Sequence, residues 1–444
     1  MSEHQNDGVR TISVQALARV EGEGALTIRM RDGEVEGVEL RIYEPPRFYE
    51  GFLRGRSALE VPDITARICG ICPVAYQMSS VFAVERIFGI ELPAELLALR
   101  RLLYCGEWIE SHVLHMFMLH APDFLGYDSA VAMAQANGEL AELVRLGLRI
   151  KKCGNRIVQV VGGREVHPIN VRVGGFYRVP DRATLLELAE ALKSAREEAI
   201  AAVRWAASLP FPDATYEYDF VALQSENEYP MNGGCIASTS GLMIEQTAFF
   251  DKFEEYQVPY SNALQCRIRP QAGASGGGSY FVGPLARWNL NHRIAPKLVQ
   301  QVASELSLFG PCHNPYQSIV VRGLEVVLAL DEAIRITENY RAPAKPGVDF
   351  SPKAGVGVAA TEAPRGLLVH RYQVDSAGVI LRADIVPPTS QNQMQMEADL
   401  RQIAPTLVKM NDEEAALAAE KIIRNYDPCI SCATHFLKVH VEGR

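Results

Sequence analysis

The chain has no uninterrupted apolar stretch of the roughly 18 residues that a bilayer-spanning helix needs, so no direct membrane span is expected. Its opening residues, MSEHQNDGVR, lack the apolar core of a secretory signal. Basic residues are not in excess: 44 Lys and Arg face 53 Asp and Glu, a net charge of −9, which argues against nucleic acid or an anionic membrane as the main partner. No repeat, low-complexity tract or interdomain linker divides the sequence. No Gly-x-Gly-x-x-Gly precedes a helix, and the glycine run in Ser275-Gly276-Gly277-Gly278-Ser279 is not followed by Lys-Ser or Lys-Thr, so no nucleotide or phosphate cradle is expected. Nine cysteines are an odd and scattered set; Cys105, Cys153, Cys235, Cys266 and Cys312 have no paired spacing and read as small buried hydrophobes of a reducing compartment.

What is present is a large core: 444 residues, 48% apolar and 22% charged, the balance of a globular protein. The start reads as β-strands at Thr11–Val14, Ala25–Met30 and Glu34–Tyr43, with Asp32-Gly33 as the hairpin turn and the Arg19–Gly24 segment as a turn that exposes Glu21. A helix is expected from Pro73 to about Gly89, and a longer one from Pro93. In the latter, Leu99, Leu102, Gly106, Ile109, Val113 and Met116 step by three and four, with Gly106 marking a close helix approach. Further helices are expected from the Asp181 cap to before Pro210, over Pro296–Phe309, over Leu324–Tyr340, and from Asn411 or Asp412 to about Arg424; Tyr229–Tyr280 reads as loop. The fold class is α+β, mainly helical, a long-helix bundle core with N-terminal β-strands, in a single domain over 1–444.

Two Cys-x-x-Cys pairs lie at opposite ends of the chain, Arg67-Ile68-Cys69-Gly70-Ile71-Cys72 and Asp427-Pro428-Cys429-Ile430-Ser431-Cys432. Each pair sets two thiols three residues apart, so both can face one ion from one turn. Four thiolates suit zinc, iron–sulfur or nickel, and a structural zinc clamp is the commonest use of such a set. Zinc ribbons, however, usually close short loops, and these pairs span almost the whole chain.

The run Asp-Pro-Cys-x-x-Cys-x-x-His, ending at His435, together with Arg-x-Cys-Gly-x-Cys, closely resembles the nickel–iron hydrogenase large (alpha) subunit. The resemblance implies nickel on Cys69, Cys72, Cys429 and Cys432, with Cys72 and Cys432 bridging to an iron that carries carbon monoxide and cyanide. It further implies Pro364-Arg365-Gly366 over the open metal face, Thr389 or Ser390 as donors to cyanide, Asp427 beside the open position, and Glu21 carrying protons onward from Cys429. Glu50 and His435 match the ligands of a magnesium ion, and the Gly162–Pro168 loop matches a structural piece near the site. Glu23 stands where many relatives have histidine and is given no role, and Ser111 replaces an aspartate that many relatives carry. His112, His115 and His120 read as core or helix-surface histidines.

The resemblance also implies partners. No other cysteine cluster or nucleotide motif is present, so electrons would leave through an iron–sulfur small subunit. The motif flavours look most like the cytoplasmic NAD(P)-linked or sulfhydrogenase group, whose flavin-bearing diaphorase subunits reduce the nucleotide. In periplasmic relatives the export signal belongs to the partner, so the missing signal here is silent on that point. A maturation protease is expected to cut after His435, making 436–444 a removable extension. The competing readings are a hydrogen-sensing regulatory subunit, a relative of the respiratory complex I subunit (which has lost these cysteines), and a structural zinc protein.

Overall fold

The computed structural model describes residues 9–270 and 277–435. Strands β1 (Val9–Val14), β2 (Gly24–Arg31) and β3 (Glu34–Ile42) form an antiparallel sheet in the order β1-β2-β3. The β2–β3 hairpin turns at Asp32 and Gly33, which both take positive φ (51° and 86°), the combination that matches the twist of paired strands. Arg10 at the sheet's edge bonds the carbonyls of Leu407, Val408 and Met410, so the two ends of the chain are tied together.

The helical bundle is built from α1 (Pro73–Phe88), α2 (Ala94–Leu114), α3 (Gly138–Gly162), α4 (Arg182–Ala207) and α5 (Ser318–Glu338). Helix α2 packs along α3 and α5, and α5 along α4. The α2–α3 crossing depends on two glycines. A Cβ on Gly106 would sit 2.9 Å from Val158 and 3.0 Å from the Gly154 carbonyl, and one on Gly154 would sit 2.7 Å from the Gly106 carbonyl. Backbones therefore touch where any side chain would wedge the helices apart. Beyond α2, His115–His120 continues as one π-helical turn, a widening that occurs mostly as single turns and frequently at functional sites.

A second antiparallel sheet, β4 (Gly355–Ala363), β5 (Gly366–Val374) and β6 (Ile380–Val386), lies against α1 and leads into α6 (Pro388–Leu407) and then α7 (Asp412–Asn425). Helix α7 starts at a full capping box: the Asn411 side chain accepts the Glu414 N–H while the Glu414 carboxylate accepts the Asn411 N–H.

Several boundaries differ from the sequence reading. The helix expected over Pro296–Phe309 spans only Lys297–Glu305, because Ser307 turns into the left-handed region (φ 57°). Helix α5 begins at Ser318 rather than Leu324; the stiff β-branched run Ile319-Val320-Val321 is a weak helix former, but burial on every side overrides that preference. The middle segment read as loop contains short antiparallel pairs, Cys235–Ser238 with Met243–Ile244 and Phe253–Gln257 with Leu264–Ile268. Such strands are too short to show a period, and Phe253 is held by stacking on Phe249 at 4.7 Å. Ser275, Gly276 and the extension expected at 436–444 lie outside the described residues.

Candidate metal centre

Cys69 follows a short 3-10 turn, Ala66–Ile68, and Cys72 is the residue that starts α1 with Pro73 in its first position. After α7, Cys429 immediately precedes the 3-10 turn Ile430–Thr434 and Cys432 lies within it. The Glu21 turn is laid beside this segment by a parallel bridge, with the Ile430 N–H donating to the Glu21 carbonyl at 2.9 Å. Folding thereby brings the four sulfurs within 4.8 Å of one another, all buried. Their separations are 2.8 Å within each pair, 3.4 Å for Cys69–Cys429 and 3.8 Å for Cys72–Cys432, all too long for a disulfide. Among the described residues this is the one grouping of three or more His, Cys, Asp or Glu at ligating distances.

Burial opposes ionisation of all four thiols. At Cys69 the hydrogen bonds from Cys429, Cys432 and Cys72 outweigh it and pull the thiol well below its ordinary value, while Cys72, Cys429 and Cys432 are pushed up. Without a cation, four adjacent sulfurs cannot all hold negative charge; a soft divalent metal removes that conflict, so the donor set fits one.

The remaining residues from the sequence analysis are distributed as follows. Glu21 is half-buried rather than exposed: its Oε2 accepts from the Cys429 thiol at 3.0 Å and from the Ser431 N–H at 3.1 Å. Arg365 sits in the β4–β5 turn with Pro364, and Gly366 is required there. Its φ is 132°, and a Cβ would meet the Gly283 nitrogen at 2.7 Å. The Arg365 guanidinium donates through Nε to the Asp427 carbonyl at 2.6 Å and through Nη2 to the Asp427 carboxylate at 3.0 Å, leaving Nη1 buried without a hydrogen-bond partner. Burial works against that charge, but Asp427 and the cysteines outweigh it and hold Arg365 firmly protonated. The Thr389 hydroxyl, on the first turn of α6, accepts the Cys429 N–H at 3.0 Å, and buried Ser390 follows it.

Glu50 and His435 meet on the far side of the C-terminal turn, with Oε1 and Nδ1 3.9 Å apart. Glu50 Oε1 also accepts the Ile385 N–H at 2.8 Å. Burial, with Arg47 nearby, pushes His435 down to about 3, so its imidazole is neutral, and both ring nitrogens are buried without a hydrogen-bond partner. A neutral imidazole with free nitrogens beside a carboxylate suits a cation that keeps part of its water shell.

His112, His115 and His120 are buried and take protein partners: Glu325 at 2.9 Å, the Arg424 carbonyl at 2.7 Å, and Asp123 and Asn425 at 3.0 and 2.9 Å. The Gly162–Pro168 loop reaches the site through His167, whose Nδ1 lies 2.7 Å from the Ala66 carbonyl just ahead of Cys69.

Three residues near the sulfurs escaped the sequence reading. Arg47 clips the halves together, donating to the Ile68 carbonyl at 2.7 Å and to the Ser431 carbonyl. It shortly precedes Glu50, already matched to a magnesium ligand, so its neighbourhood was the available signal. Glu107 bonds the N–H groups that follow Cys72. Tyr76 has a buried hydroxyl without a hydrogen-bond partner, its pKa driven up by burial and by the charges of Cys432, Cys72 and Cys69. Glu107 and Tyr76 sit in helices whose pattern reports only packing.

The sequence matches the family described as nickel-dependent hydrogenase over residues 47–146 and 282–435. The sulfhydrogenase 2 subunit alpha of Pyrococcus furiosus is 34% identical over 435 residues, covering 96% of this chain and 100% of the relative. The sulfhydrogenase 1 subunit alpha of the same organism is 31% identical, covering 96% and 98%. A crystal structure of an NAD+-reducing [NiFe]-hydrogenase in the H2-reduced state shares the fold with a TM-score of 0.84 at 24% identity, over 96% of this chain and 99% of that one. Four converging thiols carried by this fold and by these matches lead to one assignment: the chain belongs to the nickel-dependent hydrogenase family and is the large subunit of an oxidoreductase that acts on dihydrogen.

Proposed function

We propose that Cys69, Cys72, Cys429 and Cys432 would hold nickel, that Cys72 and Cys432 would also serve an iron bearing carbon monoxide and cyanide, and that the Cys429 sulfur and Glu21 would move the proton. The observation that carries this reading is the 3.0 Å contact between the Cys429 thiol and Glu21 Oε2 at the edge of the sulfur cluster. A bound metal pair would supply the Lewis acid that polarises dihydrogen and takes up its electron pair. Cys429, a member of the cluster, would be the base, and Glu21 Oε2 would take the proton from its sulfur; two such passages would clear both protons of one dihydrogen, while its two electrons would leave once, through the bound metals. Direction is set by the acceptor, since the same two groups can return protons.

Arg365 has its Nη1 donor uncommitted, and its two bonds to Asp427 fix the guanidinium plane. Pro364 stiffens the turn that presents it. Thr389, whose oxygen is occupied by the Cys429 N–H, keeps its own O–H as a donor for cyanide, with Ser390 as the neighbouring donor. Glu50 and His435 would hold magnesium.

Electrons pass to an iron–sulfur small subunit and from there to flavin-bearing NAD(P) diaphorase subunits, with sulfur as a further acceptor. The sulfhydrogenase relatives and the NAD+-reducing neighbour support that reading. No described helix is long and apolar enough to cross a membrane, and the cytoplasm is the proposed location. The whole chain, 1–444, acts as one domain, and a maturation protease removes 436–444 after His435. Intact mass of the active enzyme tests that last point: a chain ending at His435 is expected, and one ending at Arg444 overturns it.

The deciding experiment is an infrared spectrum of the complex purified from its own host. Metal-bound carbon monoxide and cyanide bands are expected. Their absence, with zinc in place of nickel, overturns the reading.

A further inference from the structure

Helix α1 poses a capping problem at Cys72. The first N–H groups of a helix have no partner within it, and the residue that starts the helix normally supplies a side-chain acceptor to the second or third. Cys72 holds that starting position and makes no side-chain cap. Its sulfur is turned into the cluster, 2.8 Å from Cys69 and 3.8 Å from Cys432. Pro73 has no N–H to satisfy. The Ile71 and Cys72 N–H groups go to the Cys69 sulfur at 3.3 and 3.1 Å. Val74 and Ala75 remain, and both donate to one side chain from another helix: Val74 to Glu107 Oε2 at 2.6 Å and Ala75 to Glu107 Oε1 at 3.0 Å.

Glu107 is fully buried. It lies on α2 between Gly106, jammed against α3, and Trp108, whose indole N–H donates to the Glu362 carbonyl at 2.9 Å. Its backbone is therefore fixed from both sides, and its carboxyl group sits at the positive end of α1; burial and the neighbouring Glu110 push its pKa well up while the two N–H groups pull it down, and in either protonation state its oxygens accept from Val74 and Ala75.

We infer that Glu107 is a positioning residue for the metal centre: a helix cap supplied by α2 that takes over the role Cys72 would otherwise fill, leaving the Cys72 sulfur for metal. This rests on the proposed nickel–iron chemistry only for what the sulfur binds; the capping itself concerns this chain alone.

Glu107→Gln keeps the shape but turns an –NH2 toward one of two N–H groups that need acceptors. In the holoenzyme complex, the expected result is nickel and iron still inserted, carbon monoxide and cyanide bands displaced from their wild-type positions, and nickel lost to a chelator roughly ten- to a hundred-fold faster. Amide exchange at Val74 and Ala75, followed on the full chain with or without metal, should speed up selectively. Asn411→Ala removes a comparable cap from α7 and should leave the bands in place. Wild-type band positions in Glu107→Gln overturn the inference, as does an equal displacement in Asn411→Ala. If Glu107→Gln gives no folded chain, Glu107→Asp, which keeps the carboxyl group but draws the oxygens back, is read in the same way. A wild-type complex without any such bands would defeat the nickel–iron reading, while the exchange measurement would still decide the cap: unchanged exchange at Val74 and Ala75 overturns it.

Discussion

Cys69 and Cys72 are held mainly by their own neighbourhood, whereas Cys429 and Cys432 are held by residues drawn from the whole chain. In the first pair, backbone N–H groups two and three residues on wrap the Cys69 sulfur, and a long helix starts at Cys72. In the second, the Cys429 N–H goes to Thr389, its sulfur to Glu21 and the Ser431 carbonyl to Arg47. Asp427 just ahead carries Arg365 and lies 3.5 Å from Arg322. One pair is a scaffold, stiff because its contacts are local. The other is, on the proposed reading, the working side, where Glu21, Arg365 and Asp427 have been gathered by tertiary structure.

The largest expected effect comes from disabling the working side alone. Glu21→Gln keeps the hydrogen bond from the Ser431 N–H but cannot accept a proton from Cys429. Dihydrogen oxidation should fall by about a hundred- to ten-thousand-fold, the usual contribution of a positioned acid–base group, with nickel content unchanged. Activity beside metal analysis checks this; full activity in the variant would show that Cys429 delivers its proton elsewhere.

Acid should separate the two pairs next. Behind Asp427 runs a buried ionic layer: Arg322 beside Asp427 and His112, His112 2.9 Å from Glu325, and Glu325 paired with Arg287, which also pairs with Glu362 at 3.0 Å. Burial lowers His112 to about 4 against the pull of Glu325, and Arg287 keeps Glu325 down at about 2 despite its burial. An unfolded chain protonates His112 as pH falls below its ordinary value near 6.5, while the folded chain resists until about 4. The unfolded state thus binds more protons in that window. The stabilisation is complete above it and is lost on acidification, on the order of 3 kcal/mol between pH 7 and pH 4. Glu325 stays charged throughout. Urea unfolding at stepped pH should show the decline and His112→Gln should flatten it, with amide exchange rising around Cys429 before it rises around Cys69. Equal rises at both pairs would erase the proposed asymmetry.

The same contrast explains what could be read from sequence. Local devices were readable: the Asp32-Gly33 turn, the Asp181 cap, a cap at Asn411 or Asp412 (Asn411 in the structure), the Gly106 crossing and the thiol spacing each lie within a few residues of their effect. Where an effect came from far along the chain, the pattern gave no sign of it. Glu107 reads as one more polar position on a helix, and only the fold shows that it caps another helix. Arg322 lies in an apolar run, and its ion pair with Asp427 joins residues that lie far apart in the sequence. By pattern alone Glu21 reads as an exposed turn residue; only the resemblance ties it to Cys429, and the contact itself forms once both ends of the chain have met. Helix α3, with its Asn137 cap, was passed over although that cap is local.

Arg47 is the joint between the two pairs, so breaking it tests whether they depend on each other. Arg47→Ala removes donors to the Ile68 and Ser431 carbonyls, one ahead of each pair's cysteine. Nickel affinity should drop about ten- to a hundred-fold, the usual effect of removing a group that orients metal ligands. Equilibrium dialysis of the metal measures it, and unchanged affinity would mean that each pair is positioned independently.

Thr389→Val is the smallest change and bears only on the C-terminal pair. The side chain keeps its shape, but the Cys429 N–H loses its acceptor at 3.0 Å in a fully buried place. An unsatisfied buried donor costs about 1–3 kcal/mol, and α6 has no side chain in its first turn placed to replace the hydroxyl except Ser390, one position away. Stability measured by denaturant should fall by that amount, and the cyanide bands should move if the Thr389 O–H donates to them. Thr389→Ser keeps the hydroxyl and should restore both. If stability falls while the bands stay fixed, Thr389 supports the Cys429 backbone and the cyanide donor is Ser390; if neither changes, the C-terminal pair is more locally held than its contacts suggest, and the contrast with the N-terminal pair narrows to Glu21 and Arg365.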